Sequence, residues 1–442
     1  MFDVLLIVIF LGAIFLGVRM KGLGIAYAAG VGLFIITMVM KIQPGVLPFS
    51  VVIIIIAVIG AIGVLELSGG LDYMVRVSEK ILRGNPKYIN YLAPIITFTL
   101  TLLAGTGHVS YSVLPVIIEV AKRQNIKPVR PLTTAVVASQ VGIPASPISA
   151  ATVTLAALLA PDGVNLGQVI LICIPSAFFA LMVVAFLQSL LPQALDKDKT
   201  YLALLASGNI KGFEEKIKET QVKKEAKGSK GPLAVLIFLI AIVIIVLYGL
   251  FPELKPIYAN TNDSIDMPLL IVIIMLVAAY IMVILTKVKV ADIPKQATFQ
   301  AGMSAALCVI GVAWLGDTVI SHYSENIKTI AGDFLQHYPW AFAVVLFCVA
   351  SLLYSPAATT IAIMPLGISL GLSPMVIIGS FAATSALFVL PTYPTSLAAV
   401  QMDNTGTTKM GKYVFNHSFI IPGTLVVIFS VMFSFIMASI VL

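Results

Sequence analysis

A chain of 442 residues is long enough for about three soluble domains, yet 59% of it is hydrophobic and only 11% is charged. Soluble domains carry about 25% charged residues, so a chain with mean hydropathy +1.05 cannot cover its surface with polar groups, and most of that surface must face lipid. The net charge of +7 sits in short loops rather than on a continuous basic stripe, which excludes a nucleic-acid partner.

A transmembrane helix needs about 20 apolar residues. From the start of the chain, apolar runs predict helices near 4–18, 23–40 and 50–67. Met1-Phe2-Asp3 offers no basic n-region, so the first run is expected to be retained rather than cleaved as a signal. Near 71–83, Leu71, Met74, Val75, Val77, Ile81 and Leu82 interleave with Asp72, Arg76, Glu79, Lys80 and Arg83, the pattern of a helix lying in the interface plane. The apolar stretch 87–121 has a small-residue break at its centre, 131–160 is interrupted by a pair of prolines, and 166–191 is unbroken. Segment 192–231, rich in Lys and Glu, reads as a solvated linker. The order then recurs. Simple runs near 232–250, 268–286 and 301–316 precede a less regular amphipathic stretch near 318–335. A split run follows at 339–371, then a proline-interrupted run at 375–402 and a last run at 419–442. Cys173, Cys308 and Cys348 fall inside apolar runs without C-x-x-C spacing, so no disulfide framework or thiolate metal site is readable.

The two halves resemble each other. Val58-Ile-Gly-Ala61 matches Val309-Ile-Gly-Val312, and Asn85-Pro86 matches Tyr338-Pro339. Leu103 to Pro115 aligns without gaps on Leu353 to Pro365, and Pro144-Ala-Ser-Pro147-Ile-Ser149 matches Pro391-Thr-Tyr-Pro394-Thr-Ser396. The offset stays between 247 and 253, which indicates an internal duplication. If 87–121 and 339–371 are re-entrant hairpins, each half makes five crossings, and an odd number inverts the second copy. The charges agree: this topology puts 24 of the 27 Lys and Arg on one face and only Lys41, Lys255 and Lys328 on the other. The basic face is then cytoplasmic and both termini periplasmic. The expected fold is therefore an all-α polytopic membrane protein of two inverted-topology repeats, 1–191 and 232–442, joined by the 192–231 linker. Each repeat would hold a re-entrant hairpin and a broken helix.

Irregular backbone at membrane depth is tolerated only where protein or a water-filled cavity satisfies it, so the four interruptions are the candidate site. The first tip supplies Gly105, Thr106, Gly107, His108 and Ser110, and the first broken helix Pro144, Ser146, Pro147 and Ser149. The second tip supplies Ser355, Pro356, Thr359 and Thr360, and the second broken helix Pro391, Thr392, Pro394 and Thr395. In this reading Gly105 and the prolines Pro144, Pro147, Pro356, Pro391 and Pro394 break helices, and the hydroxyls, Gly107 and His108 bind substrate. The interrupted helices expose N-termini whose partial positive charge attracts anions. No Lys or Arg lies in any cluster, which suits a carrier that must release its anion. Taken singly, each cluster could be a kink or packing device; four at matching positions point to a pocket. Glu66, Glu119 and Asp317 lie at segment ends and are expected to be solvated at the interface, while Asn416-His417 is expected to anchor the last helix. His322 and His337 lack metal-ligand spacing.

Several of these residues also carry a family resemblance. Gly69-Gly-Leu-Asp72, Arg83-Gly-Asn-Pro-Lys-Tyr88, Ala104-Gly-Thr-Gly107, Ala145-Ser-Pro-Ile-Ser-Ala-Ala151 and Gly311-Val-Ala-Trp-Leu-Gly-Asp317 belong to it. So do Leu390-Pro-Thr-Tyr-Pro-Thr395, Ala398-Ala-Val-Gln-Met-Asp403, Thr405-Gly-Thr-Thr408 and Phe415-Asn-His417. Over nearly its whole length the chain resembles the Dcu family of anaerobic four-carbon dicarboxylate transporters, in its A-type branch. The resemblance implies an antiporter of fumarate, malate, succinate or aspartate in the bacterial inner membrane, serving fumarate respiration. It further implies kinship with an ion-transporter superfamily whose members combine inverted repeats, re-entrant hairpins, elevator-like movement and often dimerisation. A scaffold of about 1–68 and 232–316 and a transport unit of about 87–191 and 339–442 follow. Two departures stand out: Ser355-Pro356 replaces a Ser-Gln pair of related chains, and Ser396 occupies a position that is acidic in B-type relatives.

The partners expected are small dicarboxylates, the bilayer and a second copy of the chain as a homodimer. No cofactor is expected, with co-transport of H⁺ or Na⁺ left open. Alternatives are a carrier of another small anion such as citrate or sulfate, and a membrane sensor that binds dicarboxylates without moving them. A membrane enzyme would need a clustered acid/base constellation, whereas the acidic residues here are scattered at helix ends.

Overall fold

The computed structural model describes residues 2–20, 23–45, 47, 49–207, 230–258, 263–308, 310–311, 314–319, 321–322, 335, 337–390, 393–410 and 416–442. Pro391, Thr392 and most of 318–335 thus lie outside the described residues. The described residues are helical, with only isolated bridges at Ile126–Ala194 and Ile257–Ser264.

The first half runs α1 (Phe2–Met20), α2 (Gly24–Phe34), α3 (Phe49–Leu67), α4 (Gly70–Gly84), α5 (Ile89–Ala104), α6 (Leu114–Arg123), α7 (Val129–Ala145), α8 (Ala150–Leu159) and α9 (Leu166–Leu190). After α10 (Lys199–Ala206), the second half runs α11 (Gly231–Leu250), α12 (Met267–Thr286), α13 (Ala297–Cys308), α14 (Ala341–Leu353), α15 (Pro356–Ser369), α16 (Pro374–Ser380), α17 (Pro394–Met402) and α18 (Ile420–Val441). A 3-10 turn, Phe381–Phe388, continues α16. Five of the described spans are long and apolar enough to cross a membrane, the longest being Val129–Asp162. α3 and α4 form a pair bent by 69°.

Helices of one composition meet two environments. On α12, Met275 and Met282 are buried while Ile273, Leu276 and Tyr280 are exposed. A helix apolar on every side keeps an exposed apolar face only against lipid. α7 is the opposite case: from Pro131 to Ala145 nearly every residue is buried, because α5, α9, α17 and α18 surround it. Enclosure by protein lets α7 carry Thr133, Thr134, Ser139 and Gln140, polar groups that hydrocarbon would not tolerate. The halves interlock, with α12 and α13 packing on α3, and α18 on α9. α9 and α11 meet at two glycines, where a Cβ on Gly167 would fall 2.5 Å from the Gly249 carbonyl oxygen.

The basic loops are tied together. Lys127 N–H donates to Gln193 O at 2.7 Å, Leu195 N–H to Asn125 O at 3.0 Å, and Asp196 N–H to Asn125 Oδ1 at 2.9 Å. Lys122 reaches Asn404 Oδ1 at 3.1 Å, and Lys409 reaches Thr200 Oγ1 at 2.8 Å. Lys230 caps the Leu285 carbonyl at 2.6 Å. Loops around 122–128, 191–200 and 403–409 therefore share one end of the bundle. Reporter fusions at residues 125 and 196 are expected to give the same side of the membrane; opposite signals would be incompatible with these bonds.

Two acidic residues expected to be solvated at the interface instead have specific partners. Glu66 Oε2 accepts from Thr298 N–H at 3.0 Å and from the Thr298 hydroxyl, capping the start of α13. Glu119 takes a bidentate pair from Arg83, at 2.8 and 2.7 Å, and a third contact from Arg123 at 2.6 Å. The Arg83 fork matches the two carboxylate oxygens, so α4 clamps α6. Glu119→Gln is expected to destabilise the fold by about 1–2 kcal/mol, since one charge-assisted fork is replaced by a neutral bond at a half-buried site. Chemical denaturation of the detergent-solubilised protein would measure it.

Candidate functional site

Each interruption has a local cause. At the first tip, α5 ends on Gly105 in the left-handed region (φ 67°), whose N–H closes on Thr101 O at 2.8 Å. Thr106 is extended (φ −145°, ψ 141°), and a 3-10 turn, Gly107–Ser112, leads into α6. At the second tip, Tyr354 is left-handed (φ 52°) and Ser355 extended (φ −149°, ψ 115°) before α15 begins with Pro356 at its first position. The same order of left-handed residue, extended Ser or Thr and new helix occurs twice. The backbone pairs Gly105 with Tyr354 and Thr106 with Ser355, an offset of 249. The gapless alignment of Leu103–Pro115 on Leu353–Pro365 is therefore displaced by one residue at the tip itself.

In the first broken helix, Pro147 forces Ser146 out of helical geometry (φ −79°, ψ 128°). Ser149 then caps α8 by accepting Thr152 N–H at 3.2 Å. In the second, Tyr393 is extended (φ −68°, ψ 131°) ahead of Pro394, the first residue of α17. Pro144 lies inside the last turn of α7 and Pro147 in the gap before α8, while Pro356 and Pro394 are the first residues of α15 and α17. Pro391 and Thr392 fall outside the described residues.

The clusters converge. Ser146 Oγ donates to Leu102 O at 2.6 Å, fastening the first break to the first hairpin. Gly107 lies so close to α7 that a Cβ there would sit 2.7 Å from Ser139 O. The rings of Tyr354 and Tyr393 stack at 5.8 Å, joining the second tip to the second break. Between the halves, Gln140 Nε2 donates to Thr395 Oγ1 at 3.4 Å, α15 packs on α8, and α17 packs on α7 and on the first tip.

Not every predicted hydroxyl is turned toward a shared space. Ser110 donates to Gly107 O at 2.7 Å, Thr359 to Ser355 O at 2.9 Å and Thr360 to Pro356 O at 2.7 Å. With Ser146 and Ser149, these hydroxyls shape the breaks from within. Thr106, whose Oγ1 accepts His108 N–H at 3.4 Å, and Ser355, which caps Ala358 N–H at 3.1 Å, are only partly buried. The exposed His108 ring lies parallel to Tyr111 at 5.8 Å.

Gln140, Tyr111, Tyr354 and Tyr393 were not among the residues predicted. Gln140 is fully buried, and its Oε1 has no hydrogen-bond partner. A glutamine in the middle of an apolar run is itself a signal of function. Thr395 and the neighbouring Ser396 are also fully buried, and Ser396 Oγ has no partner. The geometry thus offers neutral donors and acceptors, rings and half-helix N-termini in a protein-enclosed zone, a setting suited to holding a small anion without a fixed countercharge.

Comparison with known proteins gives the same direction. The profile of the family described as anaerobic C4-dicarboxylate membrane transporters matches residues 1–442. The C4-dicarboxylate transporter DcuA of Wolinella succinogenes is 46% identical over 437 residues, covering 99% of both chains. DcuA of Escherichia coli K12 is 46% identical over 443 residues, again with 99% of each covered. The DcuB transporter of Escherichia coli O6:H1 is 38% identical over 444 residues, 99% of each. Among solved structures, the YdaH transporter of Alcanivorax borkumensis has a TM-score of 0.57 at 15% identity, covering 88% of this chain and 84% of that one. MtrF of Neisseria gonorrhoeae has 0.57 at 12% identity, covering 92% and 84%. These two share the fold. With the profile spanning every residue and relatives matching along the whole length, the chain belongs to the family of anaerobic C4-dicarboxylate membrane transporters.

Proposed function

We propose that the protein exchanges four-carbon dicarboxylates such as fumarate, malate, succinate and aspartate across the bacterial inner membrane by antiport, and that the convergence of the four breaks is its substrate site. The bridge from Gln140 to Thr395 supports this location, because it joins the two broken helices in a zone enclosed by protein. In this reading 87–121 and 339–371 are re-entrant hairpins of two inverted repeats, the basic face is cytoplasmic and both termini are periplasmic. Asn90 and Lys127, near the two ends of the first hairpin, both bond to Gln193, which supports entry and exit on one side.

Thr106, Gly107 and His108 line one half of the site, and Ser355 and Thr395 the other. Each carboxylate of the substrate meets the half-helix N-termini of one half, where a nearby charge gains about 0.3–1 kcal/mol per dipole. Such modest attraction favours release as well as capture. Hairpins, broken helices and final helices move as an elevator unit against a scaffold of α1–α3 and α11–α13, in a homodimer. The test is counterflow in proteoliposomes: labelled fumarate is offered outside against internal succinate, malate, aspartate, citrate or sulfate, with and without Na⁺ and a pH gradient. Accumulation driven by the four-carbon diacids and not by citrate or sulfate is expected. Binding of fumarate without any counterflow would overturn the transport reading.

A further inference from the structure

A second feature lies apart from the four breaks. A cleft of about 320 Å³ opens on the basic face, between the start of α7, the end of α9 and the start of α18. Its charged lining consists of Lys127, Arg130 and Asp198. Lys127 and Asp198 pair at 2.9 Å and cancel. Arg130 Nη1 donates to Gln188 Oε1 at 3.2 Å, but its Nε is buried without a hydrogen-bond partner. His417 adds no charge: its Nδ1 accepts Phe419 N–H at 3.3 Å, which leaves Nε2 to donate to Val389 O at 3.0 Å. Two cations thus share the single carboxylate of Asp198, which leaves the lining one net positive charge, and Arg130 keeps a buried Nε–H that the protein does not satisfy.

The mouth has a different character. Leu191 and Ile421 line it and are 44% and 71% exposed, and the adjacent Leu190 is 66% exposed. A small anion in water gains nothing from such a rim, whereas acyl chains do. Cation within and apolar rim without are the two halves of an amphiphile's imprint, placed at the end of the membrane-spanning helices where headgroups lie.

We propose that this cleft binds the headgroup of an anionic phospholipid, its phosphate against Arg130 and its chains against Leu191 and Ile421. The position links the lipid to both half-sites. Arg130 stands in the first turn of α7, which ends at the first break, and His417 grips Val389 beside the second. A bound headgroup braces both.

The test is native mass spectrometry of the full-length protein released from micelles containing equal phosphatidylglycerol and phosphatidylcholine. Wild-type protein is expected to retain the anionic lipid roughly fivefold over the zwitterionic one, the factor one Arg contributes beside an anionic headgroup. Arg130→Gln is expected to bring the two to parity, while Arg130→Lys keeps most of the preference. Ile421→Glu, at a position 71% exposed, places a carboxylate at the mouth and is expected to remove the preference as well. Millimolar inorganic phosphate is expected to leave the lipid in place. Equal retention by wild type, an unchanged preference in folded Arg130→Gln or in Ile421→Glu, or displacement by inorganic phosphate alone would each overturn the proposal.

Discussion

Gly107→Ala is expected to abolish dicarboxylate exchange, although it adds a single methyl group. The new carbon would lie 2.7 Å from the Ser139 carbonyl oxygen and 3.5 Å from the Ser139 hydroxyl oxygen. The obstacle is backbone of α7, and its neighbours Ala138 and Gln140 are fully buried, so neither side can yield cheaply. Overpacking of this kind costs about 1–3 kcal/mol, and the first tip can relieve it only by lifting off the broken helix. Transport should fall to background in proteoliposomes, with the thermal unfolding midpoint lowered. Gly60→Ala is the control: nothing lies within 4 Å of a Cβ there. Alanine in a helix interior is favoured over glycine by about 1 kcal/mol, so stability should hold or rise and exchange persist. Full transport by Gly107→Ala would show that the tip does not have to seat against α7.

Gln140→Leu is expected to slow exchange by roughly 10- to 100-fold, because it strands the Thr395 hydroxyl in a buried site and removes an acceptor from the convergence. An unsatisfied buried hydroxyl costs about 1–3 kcal/mol, and each 1.4 kcal/mol is a factor of ten in rate. Thr395→Val, close in shape, should show a comparable loss. The double variant is the informative one. If the amide and hydroxyl act together across the two broken helices, its loss should be no greater than that of either single variant. Additive losses in the initial counterflow rate would mean that the two side chains act separately.

How much of this was legible beforehand depended on the range of the signal. Gly105, Pro147 and Pro394 act within one or two residues of where they stand, so the breaks could be placed from composition alone. The proposed duplication, too, rests on a comparison of the chain with itself. The tip register was harder. Pro115 and Pro365 fix an offset of 250, while the left-handed Gly105 and Tyr354 fix 249, and a gapless alignment follows the prolines. Of the two partners of Glu119, Arg123 is local at i+4, but Arg83 is 36 residues away, a distance that no local pattern spans. Gln140 is neither a helix breaker nor a hydroxyl, although a lone amide in an apolar run is costly enough to mark a site. Asp403 and the threonines after it carry the family resemblance without a role that the sequence assigns. The structure supplies one, since Asp403 accepts from Thr405 N–H at 3.0 Å and Thr408 N–H at 2.8 Å, folding that loop around a single carboxylate.

The meeting of Gly167 with Gly249 bears on how such a molecule could move. Side chains on packed helices interlock like gear teeth, so sliding one past another means climbing over ridges. Where two backbones touch with nothing between them, the teeth are missing. In the elevator reading proposed above, α9 belongs to the mobile unit and α11 to the stationary one, and this smooth spot would then serve as a bearing at the end opposite the hydrogen-bonded loops. A bulky side chain at Gly167 would act as a brake there, locking the carrier in one posture with its binding residues untouched.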